Sequence, residues 1–225
     1  WNRHVRTLTS DTVSASRNFA RAMAHMWTIA GNDIAGLDTT ALQAINTELG
    51  ESSDLLRFDG SLDDADISLG ERLQLMASNA RCQVWRDGTK WTVSREQARP
   101  WPVMQLDYRN LASNGDSSIA YASHLPASND GVEIAYVDES AQQKRAYIRY
   151  NTSTGVPVEG NGSNLRKIQL LSCATESQAR NRALVEARKL IYSRVTVQDT
   201  ALSDAMTLGI GSLVRWIDPN DFGGD

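Results

Sequence analysis

The side chains with most chemistry to offer are three histidines and two cysteines, and neither set is spaced to use it. His4, His25 and His124 lie far apart, and none has a Cys or a second His at metal-ligand spacing. His25 falls in the polar gaps of a helical pattern, and surface or packing roles account for all three. Cys82 precedes Gln83 in a strand pattern with no neighbouring His, so it reads as a small half-buried thiol. Cys173 stands just before a helix N-terminus, where the dipole lowers a thiol pKa, yet no base is close in sequence. Asp63, Asp64 and Asp66 gather before another helix N-terminus. Compensation of the helix dipole on a solvated turn explains them, and a cation site is the sharper alternative. Asp218-Pro219-Asn220-Asp221-Phe222-Gly223 starts like a calcium loop, but Phe222 stands at a ligand position and the closing Glu is missing, which leaves a turn. Asn151-Thr152-Ser153 and Asn161-Gly162-Ser163 match the glycosylation acceptor, a match that has no meaning if the protein is made in a bacterium. There is no Gly-rich phosphate loop, Gly-x-Ser-x-Gly elbow or zinc-protease helix motif. No residue is therefore assigned a catalytic, cofactor-binding or metal-binding role, and no cofactor is expected.

The elements that must position these residues are better marked than the residues themselves. Phe19, Met23, Met26, Trp27 and Ala30 make one apolar stripe on a helix from Ser16 to Ala30, ended by Gly31. A shorter helix runs from Asp38 to Leu49, with Asp38 or Thr39 as cap and Gly50 as stop. Leu55 to Phe58 reads as a strand. Ser68-Leu69-Gly70-Glu71 is a capping box, and the stripe Leu69, Leu73, Met76, Ala77, Ala80 follows it. Cys82 to Arg86 and Thr89 to Ser94 flank Asp87-Gly88, a two-residue loop that closes a β-hairpin. Pro100-Trp101-Pro102 is a stiff connector and a subdomain boundary. Strands are expected at Val103–Leu106, Ser118–Tyr121, Val132–Val137, Lys144–Tyr150 and Leu165–Leu171. The polar loop from Asn151 to Ser163 is too long for a mere connection. Thr175-Glu176-Ser177-Gln178 reads as a second capping box, opening a helix to Tyr192 with Ala179, Ala183, Ala187, Leu190 and Ile191 inward. Val195–Val197 and Ser212–Ile217 close the chain as strands.

Composition narrows the class. Of 225 residues, 41% are hydrophobic and 22% charged, a globular composition that excludes collagen-like, coiled-coil and wholly disordered chains. No apolar run has the length of a membrane-spanning helix. With 23 Lys and Arg against 27 Asp and Glu, the net charge of −4 argues against binding nucleic acid through phosphate neutralisation. Two distant thiols are no disulfide framework, which points to synthesis in a reducing compartment. Beginning at Trp1 without Met and stopping after a polar stretch, the sequence reads as a piece of a longer polypeptide. The residues alone thus give an α+β protein without the marks of an enzyme.

The running pattern carries a resemblance. Leu62 leads into the capped helix and then into Cys82-Gln83-Val84-Trp85-Arg86-Asp87-Gly88-Thr89-Lys90-Trp91-Thr92-Val93. Asn129-Asp130-Gly131-Val132-Glu133-Ile134-Ala135-Tyr136-Val137-Asp138 is a strand followed by an acidic turn, and Cys173-Ala174-Thr175-Glu176-Ser177-Gln178-Ala179 starts a helix. From about Phe19 onward these stretches, with the helix Asp38–Glu48 and the terminal Trp216-Ile217-Asp218, resemble the central tail-tip proteins of lambda-like long-tailed bacteriophages, the host-specificity or protein J family. One departure is Leu208-Gly209-Ile210-Gly211-Ser212, where the family places Pro-Gly-Asp before its last strand.

The resemblance implies a virion component rather than an enzyme. It implies a homotrimeric hub that closes the tail tube at its distal end, touches other tail-tip and tail-tube proteins, lets DNA pass without specific binding and supports host attachment. It also implies synthesis in the bacterial host cytoplasm. On this reading residues 1–50 are a helical segment completing a neighbouring hub domain. Residues 51–100 form a small strand-helix-hairpin hub domain. Residues 101–225 form a tail-tube-like antiparallel β-barrel carrying the helix 175–192. Arg145, Arg149 and the loop from Asn151 to Ser163 are candidate interface elements, with exposed polar surface the ordinary alternative. The competing readings are a cell-wall-degrading domain and a carbohydrate-binding module, the latter suggested by Trp85, Trp91, Trp101 and Trp216.

Overall fold

The structure, a computed structural model, describes residues 4–6, 8, 13–60, 66–107, 109–112, 118–121, 129–170, 172–193 and 195–217. In chain order the elements are β1 (His4–Arg6), β2 (Val13–Ala15), α1 (Phe19–Ile29), α2 (Thr39–Leu49), α3 (Leu69–Asn79), β3 (Cys82–Asp87), β4 (Lys90–Arg95), β5 (Met104–Leu106) and β6 (Ser118–Tyr121). They continue with β7 (Gly131–Asp138), β8 (Lys144–Asn151), β9 (Val158–Glu159), β10 (Leu165–Gln169), α4 (Glu176–Tyr192), β11 (Val195–Gln198) and β12 (Val214–Trp216). The class is α+β with one long helix. The chain forms two compact units, residues 1–95 with 126–192 and residues 96–125 with 193–225.

The first unit holds two apolar cores. In one, α1, α2, α3 and the β3–β4 hairpin enclose Phe19, Met23, Leu42, Leu56, Leu73 and Met76, all fully buried. Each helix is started by a side chain that satisfies free backbone N–H groups. The Asn18 carbonyl accepts from Ala20 N at 2.9 Å, and Asp38 accepts from Ala41 N at 3.0 Å. Ser68 and Glu71 form the expected reciprocal box, with Ser68 N donating to Glu71 Oε2 at 2.8 Å. Asn18 does more than cap: its Nδ2 donates to Asn46 Oδ1 at 2.9 Å and to Glu51 O at 3.0 Å, tying α1 to α2 inside the core.

Two local expectations are corrected. Leu55–Phe58 is no strand: Asp54–Leu56 is a 3-10 turn, opened by Ser53 accepting from Leu55 N at 3.3 Å. Leu56 is driven inward by the core, so its apolar neighbours gave a false strand pattern. The hairpin is real but shifted by one residue. Asp87 pairs with Lys90, and the loop is Gly88-Thr89 with Gly88 at φ +55°. Only the first loop position needs positive φ, and Gly fills it without strain.

The second core lies between α4 and a four-stranded sheet ordered β10-β7-β8-β9. β7 and β8 are an antiparallel hairpin, while β10 runs parallel to β7. Ala179, Ala183 and Ala187 repeat every four residues along α4, so the helix settles closely onto Val132, Ile134 and Ile148. The remaining sheets, β1-β2, β3-β4, β11-β6 and β12-β5, have two strands each. Among the described residues no sheet closes into a barrel, which corrects the barrel expected within 101–225. Closure needs a run of strands sharing one continuous register. Here the parallel β10 ends the largest sheet on one side and the two-residue β9 ends it on the other.

Gln178 joins the two cores. It is buried in the first turn of α4, and its Nε2 donates to Arg57 O at 2.9 Å, Asn79 O at 3.3 Å and Leu55 O at 3.4 Å. The second capping box therefore does not form. Gln178 reaches across to other elements instead of back to its own cap, and the Thr175 hydroxyl has no partner. Replacing Gln178 with Leu should cost about 2 kcal/mol, because buried carbonyls lose their donor. Gln178→Glu should cost more, since it turns a carboxylate toward them. Urea unfolding of the two variants checks both the cost and the order.

Candidate functional site: a charged seam and two open surfaces

Around Gln178 runs a seam of polar groups. Asn79 Nδ2 donates to Ser172 O at 2.7 Å, and Asp59 N donates to the same carbonyl at 2.9 Å. Arg17 bonds Asp59 through Nε and Glu139 through Nη2, the latter at 2.7 Å. Arg57 pairs with Glu139 at 3.2 Å and with Asp54 at 3.0 Å. The Arg17 hydrogen bond holds the Glu139 carboxyl below its usual range, and the bond to Asp59 raises the Arg17 guanidinium further. These carboxylates are bound to guanidinium groups, so the seam ties segments 17–18, 54–59, 139 and 172–178 together.

The sequence candidates are scattered through this frame. Asp63, Asp64, His124 and the turn Asp218–Gly223 lie outside the described residues, and Asp66 is exposed. Cys82 and Cys173 are both buried and unbridged. Burial pushes the Cys82 thiol up to about 12 and the Cys173 thiol up to about 11. The helix N-terminus behind Cys173 does not win: desolvation of the thiolate outweighs it. Among the described residues no group of three His, Cys, Asp or Glu side chains could hold a metal ion. Asn151 and Asn161 serve the fold. Asn151 Nδ2 donates to Asn161 O at 3.0 Å, and Asn161 Oδ1 accepts from Arg149 at 3.2 Å.

Those bonds order the long polar loop. Asp130 anchors it, accepting from Ser163 N at 2.7 Å and Asn164 N at 2.9 Å, while β9 pairs back onto β8. Gly131 is required beside it, because a Cβ there would fall 2.2 Å from the Tyr150 carbonyl. The anchor was invisible in sequence, since Asp130 and Asn164 are brought together only by the parallel pairing of β10 with β7.

Two surfaces remain uncovered. α4 occupies one face of the four-stranded sheet. The opposite face carries the row Lys167, Glu133, Arg149 and the exposed Tyr147. Arg149 Nε pairs with Glu133 at 2.6 Å, and its guanidinium lies 5.5 Å from the Tyr147 ring centre. At the edge of this sheet Val156 and Val158 are also exposed. The second unit is the more open. Among its described residues Leu111 is the one buried hydrophobic side chain, while Trp101 is 80% and Met206 86% exposed. Val103, Leu202, Ile210 and Leu213 are exposed as well, and Val103 N donates to Leu213 O at 2.8 Å, which sets those two residues side by side. The tryptophans do not gather: Trp91 packs on the first core, and Trp216 Nε1 reaches Asp199 at 3.4 Å in the second unit.

No protein-family model and no curated protein matches the chain. Among solved structures it is similar to the tail protein from Neisseria meningitidis MC58, with a TM-score of 0.46 and 13% identity. That likeness covers 79% of this chain and 56% of the other, so the chain spans little more than half the length of that protein.

Both thiols should resist alkylation in the native state at pH 8 and react once the chain is unfolded. Their raised pKa values also set a pH dependence. The folded chain keeps two protons that an unfolded thiol, with a pKa near 9, gives up, so stability is full below pH 9 and falls as pH rises toward 11 and 12. Cys82→Ala should flatten that fall, measured by urea unfolding across the alkaline range.

Proposed function

We propose that this chain is a structural component of a bacteriophage tail, an internal piece of the hub at the tail tip. The observation that carries the reading is the second unit, whose apolar side chains face solvent around a single buried leucine among the described residues. Monomers seldom expose so much apolar surface without a partner to cover it. Trp101 and Met206 are residue types enriched where proteins meet. The basic row of the open sheet face, with Arg149 stacked on Tyr147, is the second mating surface, and Arg145 extends it along β8. The sequence resemblance to central tail-tip proteins names the assembly these surfaces fit.

In that assembly the chain forms a homotrimer through heterologous ring contacts, with one surface of each copy meeting a different surface of the next. Other tail-tip and tail-tube proteins cover the remainder. A net charge of −4 suits a wall along which DNA slides without being held. The part played in host attachment is support of the attaching elements. Such a protein turns over no substrate and is made in the host cytoplasm before joining the virion. A carbohydrate-binding or cell-wall-degrading module is the competing class, and the exposed Trp101 is the feature it would use.

Immunogold electron microscopy tests the assignment. Antibody raised against the chain should label the distal end of the tails of particles released by the bacterium that encodes it. Particles that stay unlabelled, together with a lysis band on peptidoglycan zymography or saturable binding to one sugar on a glycan array, would move the chain to the competing class.

A further inference from the structure

We propose that the outer edge of β8 binds an extended acidic segment of another protein, which joins the sheet as an antiparallel strand. Strand β9 shows where such a partner sits. It pairs only with Tyr150 and Asn151, and Gly160 N then donates to Arg149 O at 3.0 Å. The rest of β8, from Lys144 to Ile148, has β7 on one side and, among the described residues, no strand on the other.

The backbone groups on the open side can be named. Arg149 O points toward β9, and successive residues of an antiparallel strand turn their N–H and C=O groups to alternate sides. Tyr147 and Arg145 therefore turn theirs outward. The far side of the sheet agrees. Ala135 and Val137, which stand opposite Tyr147 and Arg145, turn their groups away from β8: Ala135 O accepts from Leu170 N at 2.9 Å, and Val137 N donates to Cys173 O at 3.2 Å. Among the described residues the outward N–H and C=O groups of Tyr147 and Arg145 have no hydrogen-bond partner. A row of such groups is a template for a further strand.

Charge selects the occupant. β8 carries Lys144, Arg145 and Arg149. Arg149 pairs with Glu133 at 2.6 Å. Asp138 stands across from Lys144, its carboxylate accepting from Ser140 N at 2.8 Å. Arg145 stands across from Val137, is exposed, and has no ion pair among the described residues. Glu159 on β9 and Glu176 on α4 are both bound to Arg180. A second copy pairing through the same edge would gather the cations of both chains along one seam, which their repulsion opposes. A strand with an acid opposite Arg145 supplies the missing charge, and an apolar side chain opposite the exposed Tyr147 packs on its ring. This docking uses the edge of the sheet rather than its open face, and it does not depend on the tail assignment.

An NMR titration of the whole isotope-labelled chain, with amide exchange rates, tests it. The probe is the blocked peptide Thr-Val-Thr-Glu-Glu, which sets Val opposite Tyr147 and Glu opposite Arg145 and Lys144. Its controls are the Gln-Gln counterpart and a form N-methylated at the Val and the first Glu, whose N–H groups would face β8. Saturable shifts and slowed exchange at the Arg145 and Tyr147 amides are expected with the acidic peptide, weaker binding with the Gln-Gln peptide, and none with the N-methylated form. Arg145→Glu, an exposed change, should weaken the acidic peptide about fivefold and erase its advantage over the Gln-Gln peptide. Slow exchange at both amides in the free chain at any dilution would overturn the proposal, since the chain's own residues would then cover the edge. Protection that grows with chain concentration would overturn it in favour of a second copy. Shifts that stay linear, saturation by the N-methylated form, or equal binding of the acidic and Gln-Gln peptides would overturn it as well.

Discussion

A side-chain amide at the first turn of α4 is the joint on which the first unit turns. Two apolar cores, one among helices and one between a helix and a sheet, approach each other where three backbone carbonyls have no partner in their own elements. Gln178 supplies the donor, and Asn79 and Asp59 do the same for Ser172. Apolar packing alone would bring the cores together at many registers. A buried donor that must meet particular carbonyls selects one, because every other register leaves polar groups unpaired in a low-dielectric interior. The ion pairs of Arg17 and Arg57 around it add a partly exposed rim, which contributes less to stability than the amide does and more to fixing the orientation of segments distant in sequence.

How much of this was legible follows from how local each signal is. Gly31 and Gly50 close their helices at positive φ, and Ser68 with Glu71 opens α3, because those effects act within one turn. The inward alanines of α4 were readable from spacing alone. The failures share a cause. Thr175 to Gln178 has the letters of a capping box, but a tertiary demand for a buried donor outweighed the local bond. Leu55 and Leu56 have the letters of a strand, but one turn was enough to sink Leu56 into the core. The parallel pairing of β10 with β7, and with it the Asp130 anchor, depends on residues far apart and leaves no periodic trace.

The surfaces were less legible than the cores. Arg149 was picked out by type, and its stacking on Tyr147 over an open sheet face gives that choice a physical content it lacked. Val103 and Leu213, exposed in the second unit, were read as strand residues of a barrel, which would have buried them. Among the described residues the unit has short paired strands and one buried leucine, and Val103 and Leu213 stand exposed.

An account of this kind rests on what covers that second unit. A cryo-electron microscopy map of the assembled particle at side-chain resolution measures it directly. The account predicts Trp101, Val103 and Leu213 packed against a neighbouring chain in a three-fold ring. The same residues standing free in solvent, with no neighbour against the unit, would contradict it.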